Sequence, residues 1–145
     1  MSESGAILLV EDDSGDAELT VTALEGQRLA DRVVRVEDGE QALDYMLRTG
    51  AYEDRGGGDP AVVILDLKMP KIDGLGLLER MRGNPRLELI PVVVLTSSPE
   101  ETDRLRCYEL RANAYVVKPL RLRDYLESVG RAGAFWTLDN APPPA

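Results

Sequence analysis

Histidine is absent from the 145-residue chain, and cysteine occurs once, as Cys107. The missing imidazole excludes nucleophiles activated by histidine, zinc sites built on histidine and a phosphohistidine on this chain. A single thiol excludes an internal disulfide, and its position on a predicted helix favours a packing residue over a reactive one. No apolar run reaches membrane-spanning length, and the N-terminus has no signal-peptide pattern. We therefore expect a cytoplasmic protein.

Basic residues are the minority among the charges: 17 lysines and arginines accompany 26 aspartates and glutamates, for a formal net charge of −9. Such a chain repels a phosphate backbone unless it has a local basic patch, and the sequence contains none. Nucleic acid is therefore not an expected partner. With 43% hydrophobic and 30% charged residues, the length suits one globular domain with a sizeable core.

Five short aliphatic segments alternate with stretches whose apolar residues recur at helical spacing. Segments this short, rich in β-branched residues, are typical of strands buried on both faces of a parallel sheet. The five segments span residues 6–10, 31–37, 61–65, 91–95 and 114–117. The repeated strand–helix order predicts a doubly wound α/β domain with helices on both faces. We assign residues 1–138 to this single domain and expect the Pro-rich tail, 139–145, to be disordered.

Polar side chains follow four of the five predicted strands: Glu11 and Asp12, Asp66, Thr96 and Lys118. Because parallel strands end at the same edge of the sheet, these side chains should converge, and open α/β sheets bind their ligands at this edge. Three crowded carboxylates raise their own proton affinity unless a cation offsets their charge. Oxygen ligands without histidine or cysteine favour a hard cation, Mg²⁺ by preference.

A carboxylate nucleophile, a metal, a lysine and a hydroxyl are the equipment of phosphoryl transfer, because together they position the group and neutralise its charge. These residues and their flanking motifs resemble the receiver domain of two-component response regulators, over residues 6–135. The motifs are Glu11-Asp12, Asp66 followed by Met69-Pro70 and Asp73-Gly74, Thr96, Tyr115, and Lys118-Pro119.

The resemblance implies a (βα)5 flavodoxin-like fold with strand order 2-1-3-4-5 and a phosphoacceptor at Asp66. It also implies a Mg²⁺ ion bound by Asp12, Asp66 and the backbone carbonyl of Lys68, with Glu11 acting through water. Thr96 and Lys118 would hold the phosphoryl oxygens, and Thr96 and Tyr115 would form the conformational switch. The donor would be a sensor histidine kinase.

A narrower resemblance is to the single-domain regulators that accompany bacterial phytochromes, carried by the ILLVEDD start, the VVVLTSS segment and Phe135-Trp136. It implies a bacteriophytochrome as the kinase and a homodimer through the fourth helix, fifth strand and last helix. Tyr108, Phe135 and Trp136 are expected in or near that contact, because aromatics beyond the reach of one sheet form an exposed patch. In the competing interpretation Trp136 folds back onto its own last helix. Only about ten residues follow that helix, so we expect output through a protein contact and no effector domain.

Two other classes of function stay open at this point. A Mg²⁺-dependent phosphohydrolase would use Asp66 as its nucleophile, but such enzymes commonly place a second aspartate two residues on, where this chain has Lys68. A phosphorylation-independent dimerisation scaffold would have no use for the strand-end residues. One position also departs from the receiver pattern: Arg111 replaces the usual glycine after the fourth helix. Either Arg111 itself or the more tolerant Asn113 would then adopt the left-handed conformation.

Overall fold

Five parallel strands form one sheet in the order β2-β1-β3-β4-β5, in a computed structural model that describes residues 5–69 and 71–144. The strands are β1 (Ile7–Val10), β2 (Val33–Val36), β3 (Val62–Leu65), β4 (Val92–Thr96) and β5 (Ala114–Val117). The inner strand β1 pairs with both β2 and β3, so that Leu8 lies between Val34 and Val63. The predicted fold class and strand order are confirmed.

Five helices connect and flank these strands: α1 (Ser14–Glu25), α2 (Gly39–Leu47), α3 (Gly74–Arg82), α4 (Glu101–Glu109) and α5 (Leu122–Ala134). The second strand is shorter than predicted, because Ala30–Arg32 forms a 3-10 turn before it. None of the helices in the described part of the chain has the length and hydropathy needed to cross a bilayer.

The inner strands β1, β3 and β4 are buried on both faces, so alternate residues enter two separate hydrophobic clusters, whereas the edge strands β2 and β5 are only partly buried. On one face Leu8 and Val10 pack with α2 and α3 and with Cys107 of α4. On the other face Ile7 and Leu9 pack with α1 and α5. This double burial is the physical reason for the continuous aliphatic runs in the sequence. Burial also raises the pKa of the Cys107 thiol to about 11, as expected for a packing residue.

The packing of the chain beyond α5 differs from the predicted exposed pair of aromatic side chains. A five-residue π-helical turn, Phe135–Asp139, continues the helix, and Trp136 packs against the cluster shared by α1 and α5. Phe135 is 48% exposed, so only the first of the two aromatics lies largely in solvent. Leu122 is 57% exposed, because Tyr125 and Val129 occupy the buried side of α5. Residues 140–144 contain neither helix nor strand.

Among the described residues, four other than glycine have a left-handed backbone, and all four are basic: Arg28, Arg48, Lys71 and Arg111. Arg111 therefore takes the conformation that the sequence alone left open between it and Asn113. The side chain of Asn113 has another role, since its Oδ1 accepts from the Val92 N–H at 2.8 Å. Arg28, Arg48 and Arg111 each follow the end of a helix, where a cation interacts favourably with the helix dipole.

Candidate functional site: an acidic pocket at the carboxyl edge of the sheet

Three carboxylates meet where β1 and β3 end. Glu11 and Asp12 directly follow β1, and Asp66 directly follows β3, the neighbouring strand. Each of the three offers an oxygen that lies within 4.8 Å of the other two, close enough to share one metal ion. The convergence predicted from the parallel strand order is therefore present in the fold.

Lys118, which follows β5, reaches across the sheet edge into this group of acids. Its Nζ lies 3.3 Å from Asp66 Oδ2, 3.4 Å from Glu11 Oε1 and 3.2 Å from Asp16 Oδ2. The side chain is only 12% exposed. Burial by itself would lower the pKa of Lys118, but the charges of Asp66 and Glu11 more than offset it, and the net pKa is raised. Lys118 is therefore a permanent cation beside Asp66.

Glu11 is the buried member of the three acids, with 3% of its surface exposed. Burial raises its pKa to about 7, the charge of Lys118 opposes that rise, and the charge of Asp66 adds to it. Its Oε2 also accepts a hydrogen bond from the Asp13 N–H at 3.3 Å. One lysine does not neutralise the pocket, so at neutral pH the site favours a further positive charge, either a proton or a metal ion.

Two residues that sequence analysis did not assign to the site help to build it. Arg35 of β2 donates from Nε and Nη2 to the Glu11 carbonyl, at 3.1 and 2.9 Å, and from Nη2 to the Asp12 carbonyl at 3.1 Å. No sequence signal separates this arginine from an ordinary charge on an edge strand. Asp16 lies in the first turn of α1, where an acid favours the helix dipole, and it also pairs with Lys118. The sequence signal for this role was its position, one helical turn after the acidic residues that follow β1.

The loop after β3 explains the Asp-Gly motif behind the phosphoacceptor candidate. Asp73 caps α3, its Oδ1 accepting from the Gly76 N–H at 2.8 Å. A side chain at Gly74 would collide with the backbone of Asp66 and Leu67, so only glycine fits there. Asp66 Oδ1 accepts from the Lys68 N–H at 3.3 Å. Of the Met69-Pro70 motif, Pro70 lies outside the described residues.

The same loop is fastened to the start of α2 by an ion pair. Lys71 Nζ lies 3.5 Å from Asp38 Oδ2, and Asp38 is the buried N-cap residue of α2. Lys71 is also one of the residues with a left-handed backbone. The ion pair holds this strained loop residue in place beside the acidic pocket.

The two predicted switch residues meet at a third residue, Ser98. Thr96 ends β4 and is fully buried, and its Oγ1 accepts from the Ser98 N–H at 3.2 Å. Tyr115 of β5 donates its hydroxyl to the Ser98 carbonyl at 2.9 Å. The loop between β4 and α4 therefore connects the two side chains.

The predicted interface residues lie apart from the acidic pocket. Tyr108 of α4 is 50% exposed, and Phe135 at the end of α5 is similarly exposed. The ring of Phe135 contacts that of Trp136 edge to face, with centroids 5.1 Å apart. Trp136 itself packs on its own domain, as in the competing interpretation.

The model of the response regulator receiver domain matches residues 7–130, and the chain belongs to this family. Response regulator Rcp1 of Synechocystis sp. is 37% identical over 130 residues, which cover 90% of this chain and 87% of Rcp1. The chain is therefore a signalling protein of the two-component type.

Solved structures place it more narrowly among regulators linked to phytochromes. The bacteriophytochrome response regulator AtBRR is 53% identical, with a TM-score of 0.75 over 94% of this chain and 98% of that one. The Mn²⁺-bound form of Rcp1 superposes with a TM-score of 0.86 at 35% identity, and the phosphorylated cyanobacterial phytochrome response regulator RcpA with 0.88 at 34%. Both comparisons cover 97% of this chain and 99% of the other. The chain is homologous to phytochrome response regulators.

Proposed function

We propose that this chain is a phosphorylation switch whose Asp66 accepts a phosphoryl group from a sensor histidine kinase. The observation that carries the proposal is the contact between Lys118 Nζ and Asp66 Oδ2 at 3.3 Å, inside a pocket formed by two further acids. A structural role for these charges is a poor alternative, because burying like charges together costs stability.

The donor set fits a hard divalent cation, for which we propose Mg²⁺. Asp12 and Asp66 would bind it directly together with the Lys68 backbone carbonyl, and Glu11 would act through a water molecule. The fit rests on the closely spaced oxygens of three carboxylates beside a single lysine, Lys118, which leaves room for a further positive charge. When bound, the ion supplies charge neutralisation for the phosphoryl oxygens. The Mn²⁺-bound state of the relative Rcp1 supports this assignment.

In the proposed reaction, an Asp66 carboxylate oxygen forms a bond to phosphorus while the bond from phosphorus to the kinase imidazole nitrogen breaks. The bonding electrons leave with that nitrogen. Lys118, already beside Asp66, pairs with a phosphoryl oxygen, and the Thr96 hydroxyl donates to another. Lys118 is the cation closest to the developing charge and needs little movement to do this.

The conformational response would start at Thr96 and reach Tyr115 through their shared partner Ser98. Tyr115 is half-buried and would move further inward once Thr96 turns toward the phosphoryl group. The surface formed by α4, β5 and α5 would change as a result. We propose a bacteriophytochrome as the kinase, because the similar proteins AtBRR and RcpA are phytochrome response regulators.

We further propose a homodimer through α4, β5 and α5. This face carries a set of exposed apolar side chains, and such patches favour association. Its members are Leu105, Tyr108, Val117, Leu122 and Phe135. Tyr108 and Phe135 would lie in the contact, with Trp136 as a support beneath Phe135.

Incubation with acetyl phosphate and Mg²⁺, followed by intact-mass measurement, tests the central proposal. We expect one phosphoryl group on the parent protein and none on Asp66→Asn. The matched control Asp59→Asn, an exposed loop residue, should be labelled like the parent. Continuous turnover without a stable adduct would instead indicate a phosphohydrolase, and no adduct with a folded protein would indicate a scaffold. Labelling of Asp66→Asn would place the nucleophile elsewhere.

A further inference from the structure

Helix α4 is fixed firmly at its C-terminal end. Cys107 is the buried residue of α4, whose nine residues are all described. Just beyond it, Arg111 and Arg82 exchange side-chain to carbonyl hydrogen bonds, at 2.9 Å from Arg82 Nη2 and at 3.2 Å from Arg111 Nη2. Asn113 adds a bond from Arg82 Nη2 to its Oδ1 at 3.3 Å. This end of the helix is therefore tied to α3 and to the start of β4.

The N-terminal end of α4 depends on a different kind of contact, made with the loop before it. Its first two residues are exposed, and so is Leu105 in the second turn. Within the described chain, the N-cap residue Glu100 makes no capping hydrogen bond with its side chain. Ser98, in the loop before the helix, contacts this end instead: its Oγ accepts from the Glu100 N–H at 3.4 Å and donates to Asp103 Oδ2 at 2.7 Å. The short bond to a carboxylate is the stronger of the two.

Ser98 is also the residue at which Thr96 and Tyr115 meet. It is 5% exposed, and its N–H and carbonyl are both used by these two side chains. Its hydroxyl is directed to Asp103, in the first turn of α4. Ser98 therefore connects Thr96, Tyr115 and the N-terminal end of α4.

We infer that Asp103 is a positioning residue that holds the start of α4 to the switch through Ser98, and that phosphorylation acts on α4 by releasing this bond. The inference rests on the proposed function, since it needs a phosphoryl group on Asp66. Asp103 has no contact with the acidic pocket in this scheme. It acts on the surface formed by α4, β5 and α5 through Ser98 alone.

The direction of the effect follows from the geometry. When the Thr96 hydroxyl turns toward a phosphoryl oxygen, its Oγ1 leaves the Ser98 N–H that it now accepts from. Both residues are buried, so the loop has to follow Thr96 or leave that N–H unpaired. A shift of Ser98 lengthens its bond to Asp103. The first turn of α4 then opens more often, while the Arg82–Arg111 end stays in place.

Amide hydrogen exchange of Arg104 and Leu105 tests this, in unphosphorylated protein and after acetyl phosphate with Mg²⁺, because Arg104 is the first residue of α4 whose N–H donates within the helix, to the Glu100 carbonyl at 3.1 Å. Unphosphorylated Asp103→Ala should exchange about fivefold faster than the parent, in keeping with the loss of one side-chain hydrogen bond. Asp103→Asn keeps an oxygen acceptor for Ser98 and should stay close to the parent. Asp124→Ala is the matched control: Asp124 is exposed and occupies the same third position in α5, so it should leave α4 exchange unchanged.

Phosphorylation should accelerate exchange of this turn in the parent and in Asp103→Asn, and leave Asp103→Ala nearly unchanged. Intact mass of the same samples records the adduct. Asp103→Ala exchanging like Asp124→Ala, or responding to phosphorylation as strongly as the parent, would refute the inference while the adduct still supports the proposed function. Absence of any adduct in the parent would refute the proposed function, and the signalling role of Asp103 with it.

Discussion

Replacing Glu11 by glutamine removes a buried carboxylate from the acidic pocket and keeps nearly the same side-chain shape. In the folded protein without divalent metal, burial raises the pKa of Glu11 from 4.5 to about 7. The folded state therefore binds this proton more tightly than the unfolded state does. Between pH 4.5 and 7 the folded state holds more protons, so its stability falls as the pH rises through this window and levels off above it.

The size of the effect follows from the pKa difference. Each pKa unit corresponds to about 1.4 kcal/mol, so the rise from 4.5 to about 7 gives an upper limit of about 3.5 kcal/mol. That is a large share of the roughly 5–15 kcal/mol by which domains are stable. Glutamine does not titrate, so Glu11→Gln should lose most of this pH dependence. At pH 8 in the presence of EDTA it should be more stable than the parent by about 2 kcal/mol.

Urea unfolding at pH 5, 6, 7 and 8 in EDTA measures the difference. Glu18→Gln is the matched control, because Glu18 is an exposed acid of α1 and should follow the parent. The raised pKa of Lys118 and the pKa of Cys107, about 11, both lie above this range and leave the comparison intact. Equal pH profiles for the parent and Glu11→Gln would refute the reasoning, since Glu11 would then titrate alike in the folded and unfolded states.

Three other predictions concern the metal, the backbone and the dimer. Mg²⁺ at a hundred times its Kd should stabilise the protein by about 2.7 kcal/mol. Asp12→Ala should remove most of the resulting rise in Tm and Glu11→Ala less of it, and an unchanged response in Asp12→Ala would contradict the metal assignment. Arg28→Gly should raise the free energy of unfolding by about 1 kcal/mol, because it relieves a left-handed backbone. Arg111→Gly should gain less in the same urea assay, since it also loses the bond to the Arg82 carbonyl, and equal gains would argue against a role for that bond. In sedimentation at tens of micromolar the parent should be a dimer, and Phe135→Ala should weaken it more than Trp136→Ala, because Phe135 is the more exposed ring. A monomeric parent would exclude the interface.

The strand-end residues were predictable because their convergence depends only on chain direction. Asp66 and Lys118 are 52 positions apart in sequence, yet both directly follow parallel strands of one sheet, and their side chains come within 3.3 Å. Any arrangement that keeps the strands parallel brings such ends to the same edge. The Asp-Gly motif was also informative, because a capping aspartate and a glycine against the Asp66 backbone are local requirements.

Other features depend on packing that the sequence does not encode locally. Trp136 follows a helix whose length suggested an exposed aromatic pair, but the π-helical turn places it against the α1–α5 cluster. Asn113 has the residue type that tolerates a left-handed backbone, yet Arg111 adopts it. The reason is tertiary: the Asn113 side chain is needed by Val92 and Arg82, and Arg111 is held by Arg82.

By itself, the sequence determined the parallel α/β architecture and the identity of the acidic pocket, because periodicity and strand direction are written in the order of residue types. Only the tertiary structure decided which charges pair and which loops are joined. Asp16 pairs with Lys118 across 102 positions, and Ser98 ties Thr96 and Tyr115 to Asp103. Contacts of this kind depend on where α1 and α4 lie against the sheet to within a hydrogen-bond length, and that placement is set by the packing of the whole core.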